Sequence, residues 1–195
     1  MTKSEQRVAI EAETDSELFA RISIGQYEAM DVLFNRHYSS LCRFGGIYES
    51  DSSIIEEKIS DVFILLWNKR KSLNKIDNPK SYLYVIARNR LKKQSLFEKN
   101  RQSLDDQDND SLSLIEESFE DEVITREQKE MNQKIILRIL NEIPKKSRQI
   151  FEMSRIDGFS YKEISNIMGI SPRTVENHVA VALKCINNKL KQQSF

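Results

Sequence analysis

The sequence predicts an all-α protein: two small helical domains joined by an acidic flexible linker. Three observations carry that expectation. First, 195 residues include only five Gly, three Pro and two Cys, which leaves little for tight β-turns or a disulfide framework. Second, Ile and Leu recur at helical spacing in several segments rich in Lys, Glu and Asn, the composition of amphipathic helices. Third, 30 Lys and Arg balance 30 Asp and Glu, but the charges are segregated. Between Asn68 and Arg101 eleven basic residues face two acidic ones, residues 102–125 hold nine acidic residues and no Lys or Arg, and from Arg126 onward thirteen basic residues face seven acidic. Two basic modules flanking an acidic segment describe a protein with two polyanion-facing surfaces.

The elements follow in order. Residues 1–14 read as a tail, and MTKSEQRVAIEAETDSE has no apolar signal core. From Asp15 to Tyr38, Leu18, Ile22, Met30, Leu33, Phe34 and Tyr38 are the inward positions of two helices, broken at Gly25. Ile55, Ile59, Val62, Phe63 and Leu66 then lie on one helical face, with Ser52 or Ser53 able to cap its start. Asn78-Pro79 opens a basic helix that buries Leu83, Ile86, Ala87 and Leu91. Residues 102–125, including SLDDQDNDSLSLIEES, keep no helical period and read as the linker. Beyond it, Ile135, Ile136, Ile139, Leu140 and Ile143 form a stripe that stops at Pro144. Lys145 to Arg155 is the next helix, with Ile150 and Phe151 inward and Asp157-Gly158 closing it.

The last segment carries the most specific pattern. Ser160 caps a short helix, Tyr161 to Met168, held to the core by Ile164 and Met168. Gly169-Ile170-Ser171 makes a turn, and Pro172 opens a long helix burying Val175, Val179, Ala182, Ile186 and Leu190. This is a helix-turn-helix, whose second helix enters the DNA major groove and reads bases from its first turns. Ser171, Pro172, Arg173, Thr174, Glu176, Asn177 and His178 occupy that reading tip. Arg suits guanine, Asn adenine, and Glu the cytosine amino group.

FSYKEISNIMGISPRTVENHVAVALKCINNKL resembles region 4 of bacterial RNA polymerase sigma factors of the extracytoplasmic-function (ECF) group, of a Bacteroides-type flavour. Upstream, IIEEKISDVFILLWNKR resembles the region 2 helix that docks on the polymerase clamp coiled coil, and PKSYLYVIARNRLKKQ resembles the adjoining helix that melts and reads the minus-10 element. With ELFARISIGQYEAMDVLFNRHY the resemblance covers most of the chain, and it implies region 2 at 15–101 and region 4 at 126–195. The implied partners are core RNA polymerase (clamp coiled coil and flap), promoter DNA and, as in many relatives, an anti-sigma factor. The implied activity is promoter-specific initiation without catalysis by this chain, without a cofactor or metal, in the cytoplasm and with no membrane insertion.

The resemblance assigns polymerase contacts to Glu57, Asp61, Phe63 and Trp67, with Phe63 equally suited to the core and Ser60 departing from the Gln common in relatives. It assigns minus-10 contacts to Asn89, with Lys92 and Lys93 toward the backbone. Tyr82 and Tyr84 supply aromatic faces for unstacked bases, and either is equally suited to the core. The loop from Leu73 to Asn78 matches the place where relatives capture a flipped base. The linker reads as a solvated tether or as an acidic strand that threads a basic channel of polymerase. Cys42 and Cys185 read as reduced helical thiols.

Two other readings compete. A helix-turn-helix regulator with an N-terminal sensor or dimerisation bundle explains the C-terminal half but leaves the basic helix and the Trp-bearing acidic helix as coincidences. A metal-dependent nuclease on Glu56, Glu57 and Asp61 lacks further ligands, since His37 and His178 are the only histidines.

Overall fold

The computed structural model describes residues 10–99, 140 and 142–193, and among these every regular element is a helix. The chain divides into two compact units, residues 1–113 and 114–195. The acidic linker and the inward positions Ile135, Ile136 and Ile139 lie outside the described residues.

In the first unit, α1 (Asp15–Ser23) starts in a capping box: the Thr14 hydroxyl accepts from the Glu17 amide at 3.3 Å, and the Glu17 carboxylate accepts from the Thr14 amide at 2.7 Å. Gly25 at φ 90° turns the chain into α2 (Tyr27–Gly45). Asp15 fastens the two helices, accepting from Arg36 at 2.7 Å and bonding His37 Nε2 at 2.8 Å. Partial burial pushes its carboxyl up, but the hydrogen bonds and charges of His37 and Arg36 together hold it below the usual range.

The next helix, α3 (Ser52–Asn68), is capped by Asp51 rather than by Ser52 or Ser53: its carboxylate accepts from the amides of Ser53 at 2.8 Å and Ile54 at 3.4 Å. One residue upstream of the serines, it reaches the orphan amides of the first turn, while both serines are already helical. Ile55, Ile59, Val62, Phe63 and Leu66 are buried as the stripe requires. At the α2–α3 crossing a side chain on Gly45 would meet Ile55 Cγ2 at 2.6 Å, so the absence of a Cβ sets how closely these helices approach.

Residues Arg70–Lys75, whose second half was expected in a loop from Leu73 to Asn78, form a 3₁₀ helix packed on α1 and anchored by fully buried Leu73. Asn78 then accepts from the Ser81 amide at 2.9 Å and opens α4 (Pro79–Lys99), with Pro79 as its first residue. Leu83, Ile86, Ala87 and Leu91 face inward, and Tyr84 joins them.

In the second unit, α5 (Lys145–Arg155) buries Ile150 and Met153 completely. Phe151 is only half-buried, because Ile150, Met153 and the edge residues Ser147 and Glu152 fill the inward arc of this short helix. Glu152 pairs with Arg148 one turn away at 2.9 Å. Ser160 and Glu163 form a second capping box at the start of α6 (Tyr161–Met168). Gly169, at φ 68° and ψ 41°, ends α6 in the left-handed region, and α7 (Pro172–Gln193) packs on both α5 and α6. Val175, Val179 and Ala182 are buried, Ile186 is half-buried, and the Leu190 side chain lies outside the described set.

Cutting the α3 stripe should therefore cost far more than cutting its outer face. Ile59→Ala is expected to destabilise by about 2–5 kcal/mol in urea unfolding, whereas Glu57→Ala should stay within about 0.5 kcal/mol. Equal effects would mean that α3 is not held by its stripe.

Candidate functional site

Two surfaces emerge, one on each unit. On the first, burial of the α3 stripe turns Glu57 and Asp61 outward one turn apart. Glu57 is largely exposed and pairs with Lys58 at 3.0 Å. Asp61 is partly exposed and accepts from Arg90 of α4 at 3.4 Å, so the acidic face of α3 borders the basic face of α4. Trp67 closes the same face. Its ring meets the edge of Tyr27 at 5.6 Å, and the Arg70 guanidinium lies 4.9 Å from its centroid. Phe63 departs from the expected contact set: it is 6% exposed and packs on Phe34 at 4.8 Å, which makes it core. Two residues outside that set are exposed on this side of the unit. Ile64 is 59% and Tyr27 66% exposed, giving the face two large apolar groups beside its carboxylates. For Ile64 a signal was available, since it is an apolar residue of α3 one step off the buried stripe, as Ile54 and Leu65 also are.

The basic surface on α4 separates the two tyrosines. Tyr84 is fully buried with its ring 5.1 Å from Phe44, so it supports the helix from within and is not a surface residue. Tyr82 is half-buried, meeting the edge of Phe19 at 6.4 Å, and keeps part of its ring at the surface. Asn89 is exposed and accepts from Arg88 at 3.1 Å; Lys92 is exposed. The Lys93 side chain lies outside the described residues. The segment from Leu73 to Asn78 is short and partly helical, with Leu73 in the core and Asn78 spent on the α4 cap.

On the second unit the reading tip is well formed. Ser171 accepts from the Thr174 amide at 3.1 Å and bonds the Thr174 hydroxyl at 2.8 Å, capping α7. Ser171, Pro172, Arg173, Glu176 and Asn177 are exposed. Arg173 and Glu176 pair at 2.7 Å with both side chains mostly in solvent, a contact weak enough to open for another partner. His178 sits at the edge of this tip, half-buried, with its Nδ1 2.9 Å from the Ser147 hydroxyl of α5. Partial burial, then the charge of Lys146, pushes its pKa below the usual 6.5.

Cys42 is buried and Cys185 half-buried, both free thiols, and burial pushes the Cys42 thiol up to about 11, leaving it unreactive. Glu56, Glu57 and Asp61 stay on one open helix face, and no cluster of three His, Cys, Asp or Glu suited to a metal occurs among the described residues. No described helix is long and apolar enough to cross a membrane.

These two surfaces coincide with two regions of a known family. The family model described as sigma-70 region 2 matches residues 33–101, and that described as sigma-70, region 4, matches residues 133–186. The chain is 25% identical over 187 residues to the ECF RNA polymerase sigma-E factor of Escherichia coli, covering 91% of this chain and 95% of that protein. It is 26% identical over 174 residues to the RNA polymerase sigma factor NccH of Alcaligenes xylosoxydans xylosoxydans, covering 86% and 90%. Among solved structures, the sigma factor RpoE in complex with the anti-sigma factor NepR from Bartonella quintana shares the fold at TM-score 0.57, with 21% identity over 81% of this chain and 94% of that one. CnrH in complex with the cytosolic domain of CnrY does so at TM-score 0.54, with 17% identity over 92% and 99%.

The lowered pKa of His178 gives a signed prediction. The unfolded chain takes up this proton first, so the residue's contribution to stability is present above about pH 6.5 and is lost as the pH falls below it. Asp15, whose pKa is also lowered, acts only in a more acidic window, below its usual 3.8. Between about pH 7.5 and about pH 5 the melting temperature of the wild type should therefore fall more than that of His178→Gln. Parallel curves would contradict the assignment.

Proposed function

The chain belongs to the sigma-70 family, as a sigma factor of the ECF group with region 2 followed by region 4, and from that premise we propose how its surfaces divide the work of promoter-directed transcription initiation. It binds core RNA polymerase and directs promoter-specific initiation. One observation carries the division: the family's two regions occur in their proper order on two units whose outward faces differ in chemistry, acidic and aromatic on α3, basic on α4, polar and capped on α7.

In this reading Glu57, Asp61, Ile64 and Trp67 meet the clamp coiled coil of polymerase. The carboxylates steer and register a basic partner, and the apolar groups supply anchoring area. The neighbouring α4 meets the opened minus-10 region, with Tyr82 offering a ring to an unstacked base, Asn89 an amide to a base edge, and Lys92 and Lys93 charge to the phosphates. Tyr84, inside the core, only holds that helix in place. The α7 tip reads the minus-35 element, with Arg173, Glu176 and Asn177 toward base edges and Ser171, Pro172 and Thr174 setting the helix start against the backbone.

The acidic segment 102–125 separates regions 2 and 4 and fits a positively charged path in polymerase. Overall neutrality suits a factor whose DNA binding waits for assembly, because a strongly basic free chain would coat DNA without regard to sequence. The chemistry of RNA synthesis belongs to polymerase in this scheme, and the chain itself is not an enzyme. Its place of action is the cytoplasm, where promoter and polymerase meet. An anti-sigma partner is a further element of the proposal, supported by the RpoE–NepR complex among the structural neighbours.

Titration of labelled chain with core RNA polymerase tests the docking face. The wild type should bind tightly, and Glu57→Lys with Asp61→Lys should weaken binding by at least about tenfold without changing the melting temperature. A chain that ignores core polymerase would favour the two-domain regulator instead. On promoter DNA, Arg173→Ala and Asn177→Ala should each cost the holoenzyme about 1–3 kcal/mol and relax preference within minus-35. An equal loss on every sequence would make both residues phosphate contacts.

A further inference from the structure

The contact between Ser147 and His178 joins residues 31 apart, one on the supporting helix α5 and one at the edge of the reading tip of α7. Ser147 is 3% exposed, and its amide is spent on the Pro144 carbonyl at 2.7 Å. Among the described residues its hydroxyl has one hydrogen-bond partner, His178 Nδ1, at 2.9 Å. A hydroxyl carries one proton, and stranding it in a buried place costs free energy. That proton has an acceptor only if Nδ1 is bare. A bond running from Ser147 Oγ–H to Nδ1, with the imidazole's own proton on Nε2, satisfies that hydroxyl.

We propose that Ser147 is a positioning residue for minus-35 recognition: it fixes the His178 ring on the edge of α7 as the neutral Nε2–H tautomer, giving the reading surface an uncharged donor at a set place. This rests on the assignment of α7 as the minus-35 reader. The consequence is chemical. A histidinium would add a further phosphate contact, with salt-dependent and sequence-blind affinity. A neutral Nε2–H donates instead to a base acceptor, such as guanine O6 or N7 or thymine O4, and so adds preference at one base pair. Lys146, whose charge acts on the ring from α5, already supplies a cation on that side and opposes a second one. His178 thus joins the discriminating residues of the tip, with its geometry set from α5.

Two measurements on the full chain test this. In ¹⁵N-histidine spectra near pH 7.5, the signals absent from His178→Ala identify this ring. They should show a neutral imidazole protonated at Nε2, which Ser147→Ala converts to a mixture of tautomers. In parallel, holoenzyme made with core polymerase transcribes from a template pool randomised across the minus-35 element. Ser147→Ala and His178→Ala should lower preference at the same base position by about three- to tenfold, and the double variant should lose no more than His178→Ala alone. The proposal is overturned if the wild-type ring carries its proton on Nδ1 or is charged. It is also overturned if Ser147→Ala alters the ring but leaves the sequence profile unchanged, or still changes that profile when His178 is absent. If the wild-type holoenzyme enriches no minus-35 sequence, the assignment of α7 as reader fails, and this proposal falls with it, whatever the spectra show.

Discussion

A helix that buries a stripe has committed its opposite face, and in the first unit everything functional depends on that commitment by α3. Ile55, Ile59, Val62, Phe63 and Leu66 leave water together against α2 and α4, each side chain contributing about 1.5–3 kcal/mol of hydrophobic burial. No rotation of the helix keeps that gain, so Glu57, Asp61, Ile64 and Trp67 are held outward by the stripe, and their surface contacts add to that placement. The close approach at Gly45 sets the depth at which α3 sits, and the Asp51 cap sets where it starts. The Asp61–Arg90 pair is exposed and long at 3.4 Å. It contributes little stability, but it marks the seam where the acidic face of α3 and the basic face of α4 adjoin.

The second unit solves a related problem with less material. A helix-turn-helix must hold a reading helix rigidly while leaving its tip bare, and the turn does this with local chemistry. Gly169 supplies the left-handed residue that ends α6, and Ser171 restarts the chain as the cap of α7. Val175, Val179 and Ala182 then bind α7 to both partners. The part-buried Ser147–His178 bond adds a polar tie between the support and the edge of the tip.

Legibility in the sequence followed the range of the interactions. Stripes, breaks and caps are local, so the α3 face, the Gly25 and Gly169 turns, the Ser160 box and the Pro79 start were all readable. Asp51 was displaced by one residue because neighbouring Asp and Ser compete for the same cap, and only the backbone amides decide between them. Tyr82 and Tyr84 were indistinguishable as residue types. What separates them is whether Phe44 or the solvent lies beyond the ring, a tertiary fact. Phe63 and Ile64 separate for a similar reason: both are apolar neighbours, and one step of helical rotation sends the first to Phe34 and the second to the surface. Ser147 gave no sign, since its partner is 31 residues away. Order of motifs, by contrast, was decisive for family, because two unrelated patterns had to occur in one chain and in one sequence.

The central claim is that polymerase docking by the first unit and promoter reading by the two basic surfaces are halves of one activity. Transcription in vitro from a library of genomic fragments, with cognate core polymerase and the full chain, tests it most directly. The account predicts initiation at a discrete set of start sites that share two upstream elements, appearing only when the chain is present and abolished when the docking face is reversed in charge. Start sites unchanged by adding the chain, or promoter occupancy as tight and as selective without polymerase as with it, would contradict it.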